Sequence, residues 1–129
     1  MQISNFLRTV LKLDAASCLG MAALTLPATG ALQPALGIGA DLLQPAAAVL
    51  IPIGLYMLWL GTRREAPAAL VWLVILGNLG WAAASIFVAA SLPGISGLGQ
   101  LAVTTQGLAV LVLALAEWAG LRQSQTAVA

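Results

Sequence analysis

The sequence has no histidine, a single cysteine and very few charged residues. Only 7% of its 129 residues are charged, whereas a soluble domain carries about 25%. Without histidine the chain lacks the commonest metal ligand and the usual general base, and Cys18 alone can form no intrachain disulfide. No nucleophile–base pair and no Gly-rich phosphate loop is evident. A net charge of +1 also argues against nucleic acid, since phosphate neutralisation needs many basic residues. We therefore expect no metal site, no cofactor, no catalytic residues and no nucleic-acid partner.

Apolar residues, by contrast, make up 61% of the chain. A helix needs about 20 mostly apolar residues to cross the roughly 30 Å hydrocarbon layer, and four such runs are present. They do not alternate with period two, as membrane-spanning strands would. The sequence therefore predicts an all-α integral membrane four-helix bundle, one domain over residues 1–129, with spans at about 6–27, 44–61, 67–90 and 98–121. We expect the 28–43 connection to be a loop packed on the bundle, with a short surface helix as the alternative.

The basic residues predict an orientation for this bundle. Cytoplasmic loops carry an excess of Lys and Arg, and the connections at 28–43 and 91–97 contain neither. All the basic residues therefore fall on one side of a four-span arrangement: Arg8, Lys12, Arg63, Arg64 and Arg122. This pattern predicts that both termini and the 62–66 connection lie in the cytoplasm.

The first predicted span has a competing interpretation. Residues Met1–Ala31 resemble a secretory signal, with a basic start, an apolar run and small residues at Ala28–Ala31. Cleavage there would leave three spans. Because Asp14 interrupts the apolar run and the run to Pro27 is long enough to span, we favour a retained first helix.

Two acidic residues lie within the predicted spans, where an ionisable group is costly and indicates a functional site by default. Asp14 is expected about one turn inside the first span. We interpret it either as a proton-titrating or cation-binding carboxylate or, preferably, as the partner of Arg8 or Lys12. Glu117 is expected in the last turn of the fourth span, in an interfacial ion pair with Arg122, Arg63 or Arg64 and with Trp118 as an anchor at the membrane boundary.

Uncharged polar residues lie deeper in the third and fourth spans. Asn78, Trp81 and Ser85 share one helical face, and Gln106 lies at a similar depth. We expect a hydrogen bond between Asn78 and Gln106, with the polar lining of a substrate cavity as the alternative. Pro52 in the second span predicts a kink.

Several motifs are distributed over the four spans: Leu13-Asp14-Ala15-Ala16, Leu50-Ile51-Pro52, Asn78 with Trp81 and Ser85, and Gln106 before Glu117. Over roughly residues 7–122, this pattern resembles a group of small four-span proteins of proteobacterial inner membranes. The resemblance implies an architecture and a single constellation of Asp14, Asn78, Gln106 and Glu117. It implies no activity, because that group has none assigned.

Three functions fit these observations. The composition favours a non-catalytic accessory or scaffold subunit, whose partners are the lipid bilayer and the other membrane subunits of a larger complex. The first alternative is a small proton-coupled transporter that uses Asp14. The second is a lipid- or quinone-binding protein with Pro52, Asn78 and Trp81 around a cavity.

Overall fold

The computed structural model describes residues 1–128, with side chains as far as Thr126. Within that range the regular structure is helical: α1 (Asn5–Thr25), α2 (Thr29–Leu36), α3 (Ala40–Thr62), α4 (Ala68–Ser91) and α5 (Gly97–Val128). The one strand-like pairing in the described part is an isolated antiparallel bridge between Gln2 and Glu65. The predicted all-α class is confirmed.

Three of these helices are long and apolar enough to cross a membrane, namely α3, α4 and the part of α5 that ends at Thr126. The 21 residues of α1 include Arg8, Lys12 and Asp14. This helix meets the same standard only together with α2, from which it is bent by 92°. Three helices thus support the predicted membrane character. The three charged residues of α1 explain why this helix alone does not qualify as a candidate span.

The helix bounds depart from the predicted spans in two places. The 28–43 connection, predicted as a loop, contains the short helix α2, and α3 already begins at Ala40. In addition, α5 continues seven residues past 121 to Val128, because Arg and Gln are good helix formers. Pro45 and Pro52 both lie inside α3, which runs through them without interruption.

One end of the bundle, which we call the basic end, holds together the N-terminus, the α3–α4 loop and the end of α5. The Ile3 amide donates to the Arg64 carbonyl at 2.8 Å, and the Ala66 amide donates to the Met1 carbonyl at 3.0 Å. The Ser4 amide donates to Ser124 Oγ at 3.0 Å. The structure therefore brings the basic segments of the sequence to one end.

Two tryptophans at the basic end each lie against an arginine one turn further along the helix. The guanidinium of Arg63 is 5.4 Å from the ring centre of Trp59, and that of Arg122 is 5.1 Å from the ring centre of Trp118. Both distances are within the range of cation–π attraction. Pairs of this kind are typical of the boundary between lipid and water, where Trp and Arg both concentrate.

The helices associate mainly as two antiparallel pairs, α1 with α3 and α4 with α5, and α1 also packs on α5. Glycines allow the close approach of α1 and α3. A Cβ at Gly54 would lie 2.7 Å from Leu19, and one at Gly61 would lie 3.0 Å from Lys12. By contrast α3 and α4 make little contact, so a cleft remains between the two pairs.

The tightest packing lies toward the basic end, where buried side chains from α1, α3, α4 and α5 form one cluster. Its fully buried members include Leu7, Leu11, Leu60, Val71 and Leu121. At the opposite, far end, α2 is fixed to the α4–α5 loop, because the Ser96 amide donates to the Leu36 carbonyl at 3.0 Å. The cleft therefore lies between a densely packed basic end and the short helix α2.

Candidate functional site: a buried acidic pair beside a cleft

Two carboxyl groups from the first and last helices meet at one amide of α4. Asn78 Nδ2 donates to Asp14 Oδ2 at 2.6 Å and to Glu117 Oε1 at 2.7 Å. The exposed fractions are 1% for Asp14, 7% for Asn78 and 0% for Glu117. The two accepting oxygens are therefore at most about 5 Å apart, inside the bundle. We call these three residues the acidic triad.

Helical periodicity and equal depth account for this meeting. Asp14 follows the buried Leu7 and Leu11 at spacings of seven and three, so it shares their inward face. Asp14 is the tenth residue of α1, Asn78 is the eleventh of α4, and Glu117 is the twelfth from the end of α5. At 1.5 Å per residue, all three lie about 15 to 18 Å from the helix ends at the basic end.

The predicted partners of both acidic residues are wrong. Asp14 is near the middle of α1 rather than one turn inside it, and its partners are Asn78 and Cys18, whose Sγ lies 3.8 Å from Oδ1. Lys12 lies on the exposed side of α1. Glu117 is fully buried inside the bundle, and α5 continues beyond it for three turns. The charge of Arg122 lies instead over the Trp118 ring.

None of the described hydrogen-bond donors to the carboxyl groups of the acidic triad is a basic side chain. Hydrogen bonds to these carboxyl groups come from the Asn78 amide and the Cys18 thiol, and Glu117 Oε2 has no hydrogen-bond partner among the described residues. Burying a charge without a counter-charge is very costly, and two like charges at this separation add repulsion. Such a pair favours the uptake of a proton or of another cation.

A cavity of about 390 Å³ lies against the acidic triad. This inner cavity occupies the α3–α4 cleft, and its walls include Asp14 and Asn78, the aromatic rings of Tyr56 and Trp81, and the bare backbone of Gly77. Most of the remaining lining is aliphatic. An apolar pocket with a few convergent polar groups is the usual form of a small-molecule site.

A second polar cluster lies further from the basic end. Trp81 Nε1 donates to Gln106 Oε1 at 3.0 Å, and Gln106 Nε2 donates to Ser85 Oγ at 2.6 Å and to the Val103 carbonyl at 2.9 Å. The prediction of a hydrogen bond between Asn78 and Gln106 is therefore wrong, because the amide of each residue has other partners. The predicted constellation divides into the acidic triad and this group of Trp81, Ser85 and Gln106.

Beyond that group the cleft continues as an outer cavity of about 360 Å³, which reaches the far end of the bundle. Leucines of the 28–43 connection line it together with α3, α4 and α5; these are Leu32, Leu36, Leu42 and Leu43. The bend between α1 and α2 brings the first two of these side chains over the cleft. The 28–43 connection was predicted to pack on the bundle, and it does so. It was predicted as a loop, whereas residues 29–36 form the helix α2.

Several cavity residues were not identified from the sequence. Cys18 lies one helical turn after Asp14, and that spacing of four was the available signal. Gly77 lines the inner cavity, and a Cβ there would have nothing within 4 Å; the same open space surrounds Gly80. Pro52, by contrast, was expected beside a cavity, and it lines the inner cavity. Among the described residues, no group of three His, Cys, Asp or Glu could hold a metal ion.

Comparisons with known proteins found no matching family model, no similar curated protein and no similar solved structure. The resemblance to small four-span proteins of proteobacterial inner membranes therefore stays a prediction.

Proposed function

We propose that this protein is a small proton-coupled carrier of lipophilic cations, with Asp14 and Glu117 as the groups that exchange a proton for the cation. One observation carries the proposal: two buried carboxyl groups share a single amide beside a cavity and have no basic partner among the described residues. Bound protons and a bound organic cation both relieve the same excess of negative charge, so they compete. This competition is the basis of coupling.

The surroundings of the carboxyl groups define the kind of cation. The inner cavity is mainly aliphatic and opens between α3 and α4, where Ile53 and Leu73 are exposed on the outer surface of the bundle. A strongly hydrated cation would lose its water there without replacement ligands. A lipophilic organic cation loses little hydration and enters from the bilayer, so it fits the site better.

We propose that α1 also spans the membrane, giving four spans with both termini in the cytoplasm of a bacterial inner membrane. In support, α1 packs antiparallel on α3 and its charges Arg8 and Lys12 lie toward the basic end. Asp14, the one charge near its middle, is turned into the bundle, where it accepts a hydrogen bond. Intramembrane charges of this kind face the bundle interior.

The central test measures cation binding and proton release together. Purified protein in detergent and weak buffer is titrated with tetraphenylphosphonium while a dye records the pH. We expect saturable binding with release of about one proton per bound cation. Asp14→Asn and Glu117→Gln should each abolish the proton release. Asp41→Asn is the matched control, because it neutralises an exposed carboxylate in the first turn of α3.

Transport is tested with the same protein in proteoliposomes. An outward proton gradient should drive uptake of the cation in the unmodified protein and in the control, but in neither triad variant. Binding without any proton release, or uptake that Asp14→Asn leaves intact, would refute the proposed coupling.

Cavity filling provides an independent test of the location. Gly77 lines the inner cavity and has open space around it, so Gly77→Leu places a side chain in the cavity without a backbone clash. Gly80→Leu is the matched control: it has the same open surroundings on the same helix but lies outside both cavity linings. We expect cation binding to be lost only in Gly77→Leu.

The accessory or scaffold role expected from composition is a second candidate, favoured by the outward face of α5. Large apolar side chains there recur at helical spacing and are half exposed or more, as in Leu101, Val112 and Leu115. A partner subunit or lipid could cover this face. Purification from native membranes in a mild detergent, followed by mass spectrometry, distinguishes a partner subunit from a lipid. A protein that co-purifies in every preparation favours the subunit role, and a co-purified lipid or quinone favours a binding protein.

A further inference from the structure

The inner and outer cavities adjoin within the cleft. Four residues line both cavities, so the two meet at these side chains: Met21, Leu50, Trp81 and Gln106. From Asn78 beside the acidic pair to Val88 in the outer cavity, α4 advances ten residues, or about 15 Å. That distance equals about half of the roughly 30 Å hydrocarbon layer, which is the depth that one lipid chain covers.

The two parts of the cleft differ in the chemistry they offer. In the inner part, the acidic triad supplies negative charge, and the rings of Tyr56 and Trp81 supply faces that attract a quaternary ammonium group. In the outer part, the polar groups of Gln106 are engaged by Trp81, Ser85 and the Val103 carbonyl. The occupant of the outer part therefore finds aliphatic contacts and is best matched by hydrocarbon.

We infer that the preferred ligand is a single-chain cationic amphiphile, whose ammonium head lies beside Asp14 and whose alkyl chain runs through the outer cavity under α2. This inference rests on the proposed function, since it assigns the ligand class of the same acidic site. Its orientation is distinctive. The charged head lies deep in the bundle and the chain points toward the far end, opposite to an ordinary lipid of the leaflet at that end.

The outer cavity then determines the preference for chain length. Ala84 of α4 lines this cavity, whereas the neighbouring Ala83 lies outside both linings. Ala84→Phe fills part of the outer cavity from one wall, and Ala46→Phe does so from α3 on the opposite wall. Ala83→Phe is the control, because it adds the same side chain to the same helix on an exposed face.

The experiment compares butyltrimethylammonium and dodecyltrimethylammonium by calorimetric titration of the purified full-length protein in detergent. The micelle also takes up the longer chain, so the measured quantity is the affinity ratio between each variant and the unmodified protein. We expect Ala84→Phe and Ala46→Phe to weaken dodecyl binding about tenfold or more, because several methylenes no longer fit. Butyl binding and its dependence on Asp14 should be unchanged, and Ala83→Phe should change neither.

The outcomes separate this inference from the proposed function. If butyl binding depends on Asp14 but both cavity-filling variants bind the dodecyl ligand normally, the chain does not use the outer cavity and the inference is wrong. An equal loss of butyl and dodecyl binding in both variants also overturns it, because the two parts of the cleft would not be separable. If neither ligand requires Asp14, the proposed function itself fails.

Discussion

Glu117→Gln should stabilise the bundle while it removes function. The substitution keeps the shape of the side chain and an oxygen that can accept from Asn78 Nδ2, but it removes one of two carboxyl groups held within about 5 Å. It also replaces the unpartnered carboxylate oxygen Glu117 Oε2 by an uncharged amide group. Burying an uncharged polar group costs less than burying a charge, so both changes favour the folded state.

The magnitude follows from the separation of the two carboxyl groups. Two unit charges 5 Å apart repel by about 3 kcal/mol at an effective dielectric constant of 20. A proton or bound cation already relieves part of this repulsion. The free energy of unfolding of Glu117→Gln should therefore exceed that of the unmodified protein by about 1 to 3 kcal/mol. Functional groups that oppose stability in this way are common in binding sites.

The assay is reversible unfolding in mixed micelles at about pH 8, followed by helical circular dichroism. Asp41→Asn is again the control. It removes a favourable acidic charge from the first turn of α3 and should cost a few tenths of a kcal/mol. If Glu117→Gln instead lowers the free energy of unfolding by more than about 1 kcal/mol, the carboxylate is a stabilising element and the repulsion argument is wrong.

Three other predictions concern packing, the second polar cluster and topology. Gly54→Leu should destabilise the protein by about 1 to 3 kcal/mol in the same unfolding assay, since a Cβ there would lie 2.7 Å from a side chain of α1. Trp81→Phe should cost about 1 kcal/mol through loss of the hydrogen bond to Gln106, and a value near zero would mean that the bond contributes nothing. Single cysteines at Gln33 and Gln125, in a variant that lacks Cys18, should react with an impermeant maleimide from opposite sides of the membrane; labelling from one side would contradict an odd number of spans between them, namely α3, α4 and α5.

The sequence predicted the helices well because their signal is local. Runs of apolar residues predicted the bounds of α3 and α4 to within a few residues. The charged turn between them marks the end of α3 and the start of α4. The far end was harder to predict. Nothing local distinguishes a short helix at 29–36 from an apolar loop, because its eight residues are held by tertiary contacts with the α4–α5 loop.

The partners of the acidic residues were mispredicted for a specific reason. Ending the fourth helix near 121 placed Glu117 in its last turn, whereas α5 continues to Val128 and Glu117 lies at the same distance from the basic end as Asp14 and Asn78. The rotation of α1 was also available from the sequence. Leu7, Leu11 and Asp14 repeat at spacings of four and three and share a buried face, which directs Asp14 away from Lys12. Burial on a shared face, combined with equal depth, was the overlooked signal.

The acidic triad has a consequence for biosynthesis, because its members are widely spaced along the chain. Asp14 lies in the first helix to be made, Asn78 in the fourth and Glu117 in the last. Translation proceeds from the N-terminus, so Asp14 is synthesised before either partner exists. The same holds for the Ser4 amide, whose acceptor on Ser124 is 120 residues away. A nascent chain that ends after α4 lacks Glu117 altogether, so the paired carboxyl groups come into existence only when α5 joins α1.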